Sequence, residues 1–146
     1  MTLARFAAPL LLLLAGAAHA DTSPVGTWKT IDDDTHEPKA LVQISEDGGV
    51  LSGKIVKLFR KPDEDPAPRC KECRGERHDQ PVLGMTILWN LHRDGAEWNG
   101  GEILDPENGK TYRCKLQIGD DGNLEVRGFI GFSLLGRTQV WERAAP

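Results

Sequence analysis

Four polar, glycine-bearing breaks divide this chain, and they restrict what it can fold into. They are Glu46-Asp47-Gly48-Gly49, Arg93-Asp94-Gly95, Asp105-Pro106-Glu107-Asn108-Gly109 and Asp120-Asp121-Gly122-Asn123. Asp-Gly and Asn-Gly pairs supply the positive φ angles that tight hairpins need, so each break reads as a turn between antiparallel strands. The segments between them alternate. Over 110–118, Tyr112, Cys114, Leu116 and Ile118 share one face, while Thr111, Arg113, Lys115 and Gln117 share the other. That is the two-residue period of a half-buried strand. Strands are expected over 25–31, 40–44, 50–59, 83–92, 96–104, 110–118, 124–128 and 137–143. Gly53 reads as a bulge or a point of close approach. The fold class is all-β, an antiparallel up-and-down meander of about eight strands, and a meander of that size closes into a barrel with an interior.

The N-terminus carries a different signal. Arg5 precedes an apolar run from Leu10 to Leu14, which ends in the small-residue triplet Ala18-His19-Ala20. This is the pattern of a secretory signal peptide over residues 1–20, cleaved after Ala20. The run falls short of the ~20 apolar residues a spanning helix needs, so stable membrane insertion is not expected. No Cys follows the cleavage site, so lipid attachment there is not expected either. Residues 21–146 would then form one exported, periplasmic domain. The chain has 18 Lys+Arg against 22 Asp+Glu, interleaved rather than clustered. That balance argues against a nucleic acid or an anionic membrane held mainly by charge.

Two stretches stand outside the strand rhythm. Residues 60–81 carry Pro62, Pro66, Pro68 and Pro81, many charges and no strand pattern. Loops this long in a small domain are unusual and often functional. Within it lies Cys70-Lys71-Glu72-Cys73, for which three readings compete. The thiols form a disulfide that staples the loop, or they are half of a zinc site completed by Cys114 and His78, or they are a redox-active dithiol. A dithiol of that type belongs at the start of a helix in a βαβ unit, and none is visible, which favours the disulfide Cys70–Cys73. Cys114 reads as a small buried hydrophobe, with a reactive thiol as the alternative. His36, His78 and His92 fit no catalytic pattern and read as surface residues. Asp32-Asp33-Asp34 lacks the alternating spacing of a calcium loop and reads as a solvated turn. No catalytic residue, metal or cofactor is implied.

The second stretch is Gly128-Phe129-Ile130-Gly131-Phe132-Ser133-Leu134-Leu135-Gly136, an apolar connection where a polar one is usual. It is either a lid folded over the barrel or an exposed lip that meets a ligand or a protein partner. Both stretches leave room for a short helical turn. A barrel interior would be lined by aromatics, and the candidate ligand-binding residues are Trp89, Trp98, Tyr112, Arg127, Phe132 and Trp141. Tyr112 and Arg127 would anchor a polar head group.

In a closed meander the first and last strands are neighbours. Gly26-Thr27-Trp28 resembles the Gly-x-Trp that opens lipocalin-type barrels, where the Trp lies under a basic residue of the last strand. Arg143, or else Arg137, would close the barrel over Trp28 by a cation–π contact. A longer pattern joins it. Trp98-Asn99-Gly100-Gly101-Glu102-Ile103-Leu104-Asp105-Pro106-Glu107-Asn108-Gly109-Lys110-Thr111-Tyr112 is one block. Val126-Arg127-Gly128-Phe129-Ile130-Gly131 and Leu135-Gly136-Arg137-Thr138-Gln139-Val140-Trp141 are two more. With Gly26-x-Trp28 and the Cys70-x-x-Cys73 loop, they make the chain resemble the family known as domain of unknown function 2147, small secreted proteobacterial proteins. The resemblance implies an exported, calycin-like (lipocalin-like) β-barrel and carries no activity. Three functions compete: binding of a small apolar or amphipathic ligand, a filled barrel that binds a protein partner, and a thiol or metal role for Cys70 and Cys73.

Overall fold

The alternation resolves into eight strands: β1 (Gly26–Ile31), β2 (Pro38–Asp47), β3 (Val50–Leu58), β4 (Thr86–Asp94), β5 (Glu97–Asp105), β6 (Lys110–Ile118), β7 (Leu124–Phe129) and β8 (Arg137–Arg143). They come from a computed structural model that describes residues 22–145. The expected signal peptide and its cleavage site lie outside the described residues. The strands pair in chain order as a closed antiparallel barrel. Among the described residues no helix is long and apolar enough to cross a membrane. The two irregular stretches contribute one 3₁₀ turn each, at Gly75–Arg77 and Ser133–Leu135.

The connections sort into two ends. The tight β2–β3, β4–β5 and β6–β7 turns meet both chain ends at one end of the barrel. Gly48 and Gly49, at φ 57° and 80°, take the paired left-handed conformation that a two-residue hairpin requires. The other end carries the longer β1–β2, β3–β4 and β7–β8 connections, with the β5–β6 turn. Strand lengths differ from expectation at both ends. β2 spans Pro38–Asp47 rather than 40–44, and β4 spans Thr86–Asp94 rather than 83–92. Gly53 sits at a register shift between β3 and β4, where an added Cβ would come 3.0 Å from Leu88 and 3.2 Å from Val42.

The end with the tight turns is solid. Trp28, Ile44, Leu51, Leu91, Leu116 and Leu124 are essentially inaccessible to solvent, and Trp98 is buried with them. Burying each large aliphatic side chain contributes roughly 1.5–3 kcal/mol. Trp28 is fixed from both sides. Its indole N–H donates to the Pro24 carbonyl at 2.7 Å, and the Arg143 guanidinium lies 4.2 Å from the ring centroid. Arg143 also donates to the Ser23 carbonyl at 3.2 Å. The closing cation is thus Arg143; Arg137 lies at the opposite end of β8.

Cys114 faces inward between Tyr112 and Leu116 and is 1% exposed. Burial pushes its thiol from 9.0 up to about 12. A neutral thiol is a poor nucleophile, so the buried-hydrophobe reading fits and the reactive-thiol reading does not.

Two outcomes follow for stability. Trp28→Ala should cost about 3–5 kcal/mol in urea denaturation, and Arg143→Ala about 1 kcal/mol; equal losses would mean that the cation, not the indole, carries the closure. The stability that depends on a neutral Cys114 is intact below pH 9.0 and is lost as pH rises to about 12. Comparison of the native chain with Cys114→Ala across that window should show the native chain losing more stability.

Candidate functional site

The other half of the barrel is hollow. It holds a cavity of about 1200 Å³, open to solvent at the end with the longer loops. Ala40, Val42, Ile55, Ile87, Ile103 and Val126 give it an apolar wall. Trp141, 2% exposed, separates this space from the solid half. Its indole N–H donates to Gln139 Oε1 at 3.3 Å, and Gln139 Nε2 donates to Asp33 Oδ2 at 3.0 Å. Arg137 completes the chain with a 2.9 Å ion pair to the same carboxylate. Two strands away, on β6, the Tyr112 hydroxyl accepts from Asn108 Nδ2 at 3.2 Å. Its own proton stays available to donate.

Charge is confined to the rim. Among the described residues no charged side chain is buried. Lys39 bridges Asp32 at 3.5 Å and Glu107 at 2.5 Å, and Lys61 pairs with Glu37 at 2.8 Å. The Thr35 backbone N–H, with the Asp34 N–H, the Thr35 hydroxyl and Lys39, holds the Asp32 carboxyl down at about 2. Burial pulls the Lys39 ammonium down, but the hydrogen bond and charge of Glu107, then Asp32, raise it above its ordinary value. The Asp32-Asp33-Asp34 turn is therefore a capped, ion-paired corner of the mouth.

The 60–81 stretch builds one side of that mouth. Cys70 N–H donates to the Gln80 carbonyl at 2.9 Å, Asp79 N–H to the Cys70 carbonyl at 2.9 Å, and Val82 N–H to the Pro68 carbonyl at 3.0 Å. These bonds fold it into a short two-armed ribbon with a Cys70–Cys73 disulfide at its tip. Both sulfurs are buried. Cys70 Sγ touches the Pro106 carbonyl at 3.3 Å; an oxidised sulfur has no proton, so this is a contact rather than a hydrogen bond. The ribbon seats on the β5–β6 turn at Gly109, where an added Cβ would overlap the Glu72 carbonyl. His78 Nδ1 lies 3.0 Å from the Cys73 carbonyl. With both thiols in a bond, the zinc grouping of Cys70 and Cys73 with Cys114 and His78 is not formed. Arg69, Lys71 and Glu72 of the ribbon face the cavity.

Of the six aromatic and basic residues named from the sequence, the cavity brings together Tyr112 and Trp141. Trp98 is buried among the side chains of the solid half. Trp89 lies outside the cavity, with Arg77 stacked 4.4 Å over its ring and its indole N–H donated to Glu102 at 2.9 Å. Arg127 alternates out of phase with the inward Val126. It donates to the Ser133 carbonyl at 2.6 Å and to the Thr138 hydroxyl at 2.8 Å, pinning the β7–β8 connection against the outer wall. That connection is a lip and not a lid: Phe132 is 78% and Leu134 90% exposed. Sequence reasoning missed Ala40, Val42, Ile55, Val126 and Gln139 as lining residues. The period-two pattern marks Val42 and Val126 as inward, but it does not say at which height along the barrel.

No curated protein sequence matches the chain. A solved structure does: protein HP1028 from the human pathogen Helicobacter pylori, described as belonging to the lipocalin family. It superposes with a TM-score of 0.71 at 19% identity over 85% of this chain and 84% of that one, so the likeness is one of fold. Residues 26–143 match the model of a family described as "Uncharacterized protein conserved in bacteria (DUF2147)". The chain therefore belongs to that family, on a lipocalin-like closed barrel of eight antiparallel strands.

Proposed function

We propose that this protein binds a small apolar or amphipathic ligand in the open half of its barrel. The observation that carries the reading is the open cavity of about 1200 Å³, with an aliphatic wall and a charged rim. Pockets for small ligands span roughly 300–1,000 Å³, so an open space of this size admits one with room for solvent at the mouth. The ligand's apolar part would lie against Val42, Ile55, Ile103 and Val126, above Trp141. Its polar end would meet Tyr112, Gln139 and the ion-paired rim. Trp89, Trp98, Arg127 and Phe132 take no part in this version. The buried disulfide and the signal peptide expected over residues 1–20 support an oxidising, periplasmic setting.

Gly128 offers the cleanest test. It lines the cavity, and an added Cβ would make only ordinary contacts, 3.6 Å from Ile103 and from Tyr112. Gly128→Phe should therefore fill the cavity without unfolding the barrel. Titration with 1-aminoanthracene should show about tenfold weaker binding at unchanged circular dichroism. Equal binding by the filled variant would overturn the cavity reading.

The lip supports a second reading, a surface for a protein partner. Ile130, Phe132, Leu134 and Leu135 are 70–90% exposed. A Phe132→Asp, Leu134→Asp double change should abolish co-purification of a periplasmic partner while leaving dye binding intact. Unchanged recovery of the partner would count against it.

A further inference from the structure

The barrel wall is not bonded evenly. Seven of its eight strand junctions register four or more residue pairs. The β1–β8 junction registers two, Trp28 with Arg143 and Lys29 with Glu142, both at the solid end. Antiparallel continuation would set Thr30 against Trp141 and Ile31 against Val140, but these do not pair. Thr30 and Ile31 bond instead toward β2, and Arg137 to Val140 toward β7. Each strand keeps its registered partners on its other side, and past Lys29 and Glu142 the two share no registered pair. Thr30, Ile31, Arg137, Gln139 and Trp141 all line the cavity, so the seam opens into it.

Asp33 crosses the seam. It leaves the β1–β2 turn to reach Arg137 at 2.9 Å and Gln139 at 3.0 Å. The Asp33 and Arg137 side chains are 43% and 72% exposed, and an exposed ion pair holds weakly. Elsewhere the open mouth is tied by Lys39 to Glu107, by Lys61 to Glu37 and by the disulfide ribbon seated on Gly109. The approach to the seam from outside is apolar: Val140 is 47% exposed, and Leu135, next to the start of β8, is 79% exposed.

We propose that the β1–β8 seam is a lateral portal through which an unbranched aliphatic chain enters the cavity, with Asp33 as its latch. The inference rests on the ligand reading above. A slit between two strands admits a narrow methylene chain and excludes a branched or polycyclic body. Opening it breaks one side-chain ion pair and one side-chain hydrogen bond and no registered backbone pair.

Stopped-flow exchange of trans-parinaric acid, a straight fluorescent chain with no ring, on the purified protein tests this. Asp33→Asn should raise both the on-rate and the off-rate, each by about two- to fivefold, the range an exposed ion pair allows. Ile31→Cys with Val140→Cys, bridged by dibromobimane, should slow both rates by roughly tenfold relative to the unbridged pair. If the probe binds and neither variant changes its rates, the portal is overturned and the ligand reading stands. If the native protein does not take up the probe, both fall. Hydrogen exchange without ligand is an independent check. Amides of residues 30–33 and 138–140 should exchange faster than those at the centre of the β6–β7 pair, and equal protection would overturn the portal.

Discussion

The contact between Trp28 and Arg143 is the constraint on which the rest of the barrel depends. A meander can stay open as a curved sheet; this one closes because its first and last strands share that contact. The indole fills the end of the barrel, its N–H is satisfied by Pro24, and the guanidinium covers the ring from solvent. The large buried side chains of the tight-turn end then pack around a fixed point. One half of the barrel is anchored this way, so the other half does not have to be filled.

A magnitude shows what the hollow half is. Creating a sealed, empty cavity costs about 24 cal/mol per Å³. Over about 1200 Å³, that would be about 29 kcal/mol, more than the ~5–15 kcal/mol by which a domain is stable. The space is therefore not an empty void. It is open to solvent, and on the proposed function its walls would trade water for an apolar guest. Its rim is held by links that need no core: ion pairs between loops, and a disulfide-tipped ribbon pressed against a glycine. Closing a ring of so few residues adds little entropic stability. The disulfide's effect is local, in giving the ribbon a fixed tip that fits Gly109.

Much of this was legible from residue pattern. Asp-Gly and Asn-Gly pairs marked the tight turns because left-handed backbone conformations have few hosts. The period-two pattern marked inward faces because a sheet has only two faces. Trp28 with Arg143 was readable because closure brings chain ends together. The cavity residues were legible only in part. Arg127 and Phe132 looked like site residues by chemistry, yet Arg127 is one position out of phase with Val126, and Phe132 lies on a connection pinned outside. Trp98 faces inward but at the solid end. Height along a barrel depends on the stagger between strands, and the bulges near Gly53 and between Trp98 and Gly101 shift that stagger. No single strand carries that information. The β1–β8 seam was invisible for the same reason, since both strands have ordinary sequences and only their short register marks it.

The distribution of charge limits what such a cavity can hold. No charged side chain among the described residues is buried, and at the mouth Asp32, Asp33, Glu37, Lys39, Lys61, Glu107 and Arg137 are engaged in ion pairs. An ionised group carried deep inside would lose its hydration and find no counter-charge, which is costly. A neutral hydroxyl or carbonyl would fare better, because Tyr112 has a proton to donate and Gln139 already works as both donor and acceptor. An amphipathic guest would thus be oriented by exclusion: its chain would lie against the aliphatic wall and its charged end would stay at the rim. There it would compete with Asp33, Lys39 and Glu107 for their partners. The same ion pairs that hold the mouth and the seam are the ones a bound head group would disturb. On this reading, binding and opening would be coupled through side chains of the rim, away from the solid half of the barrel.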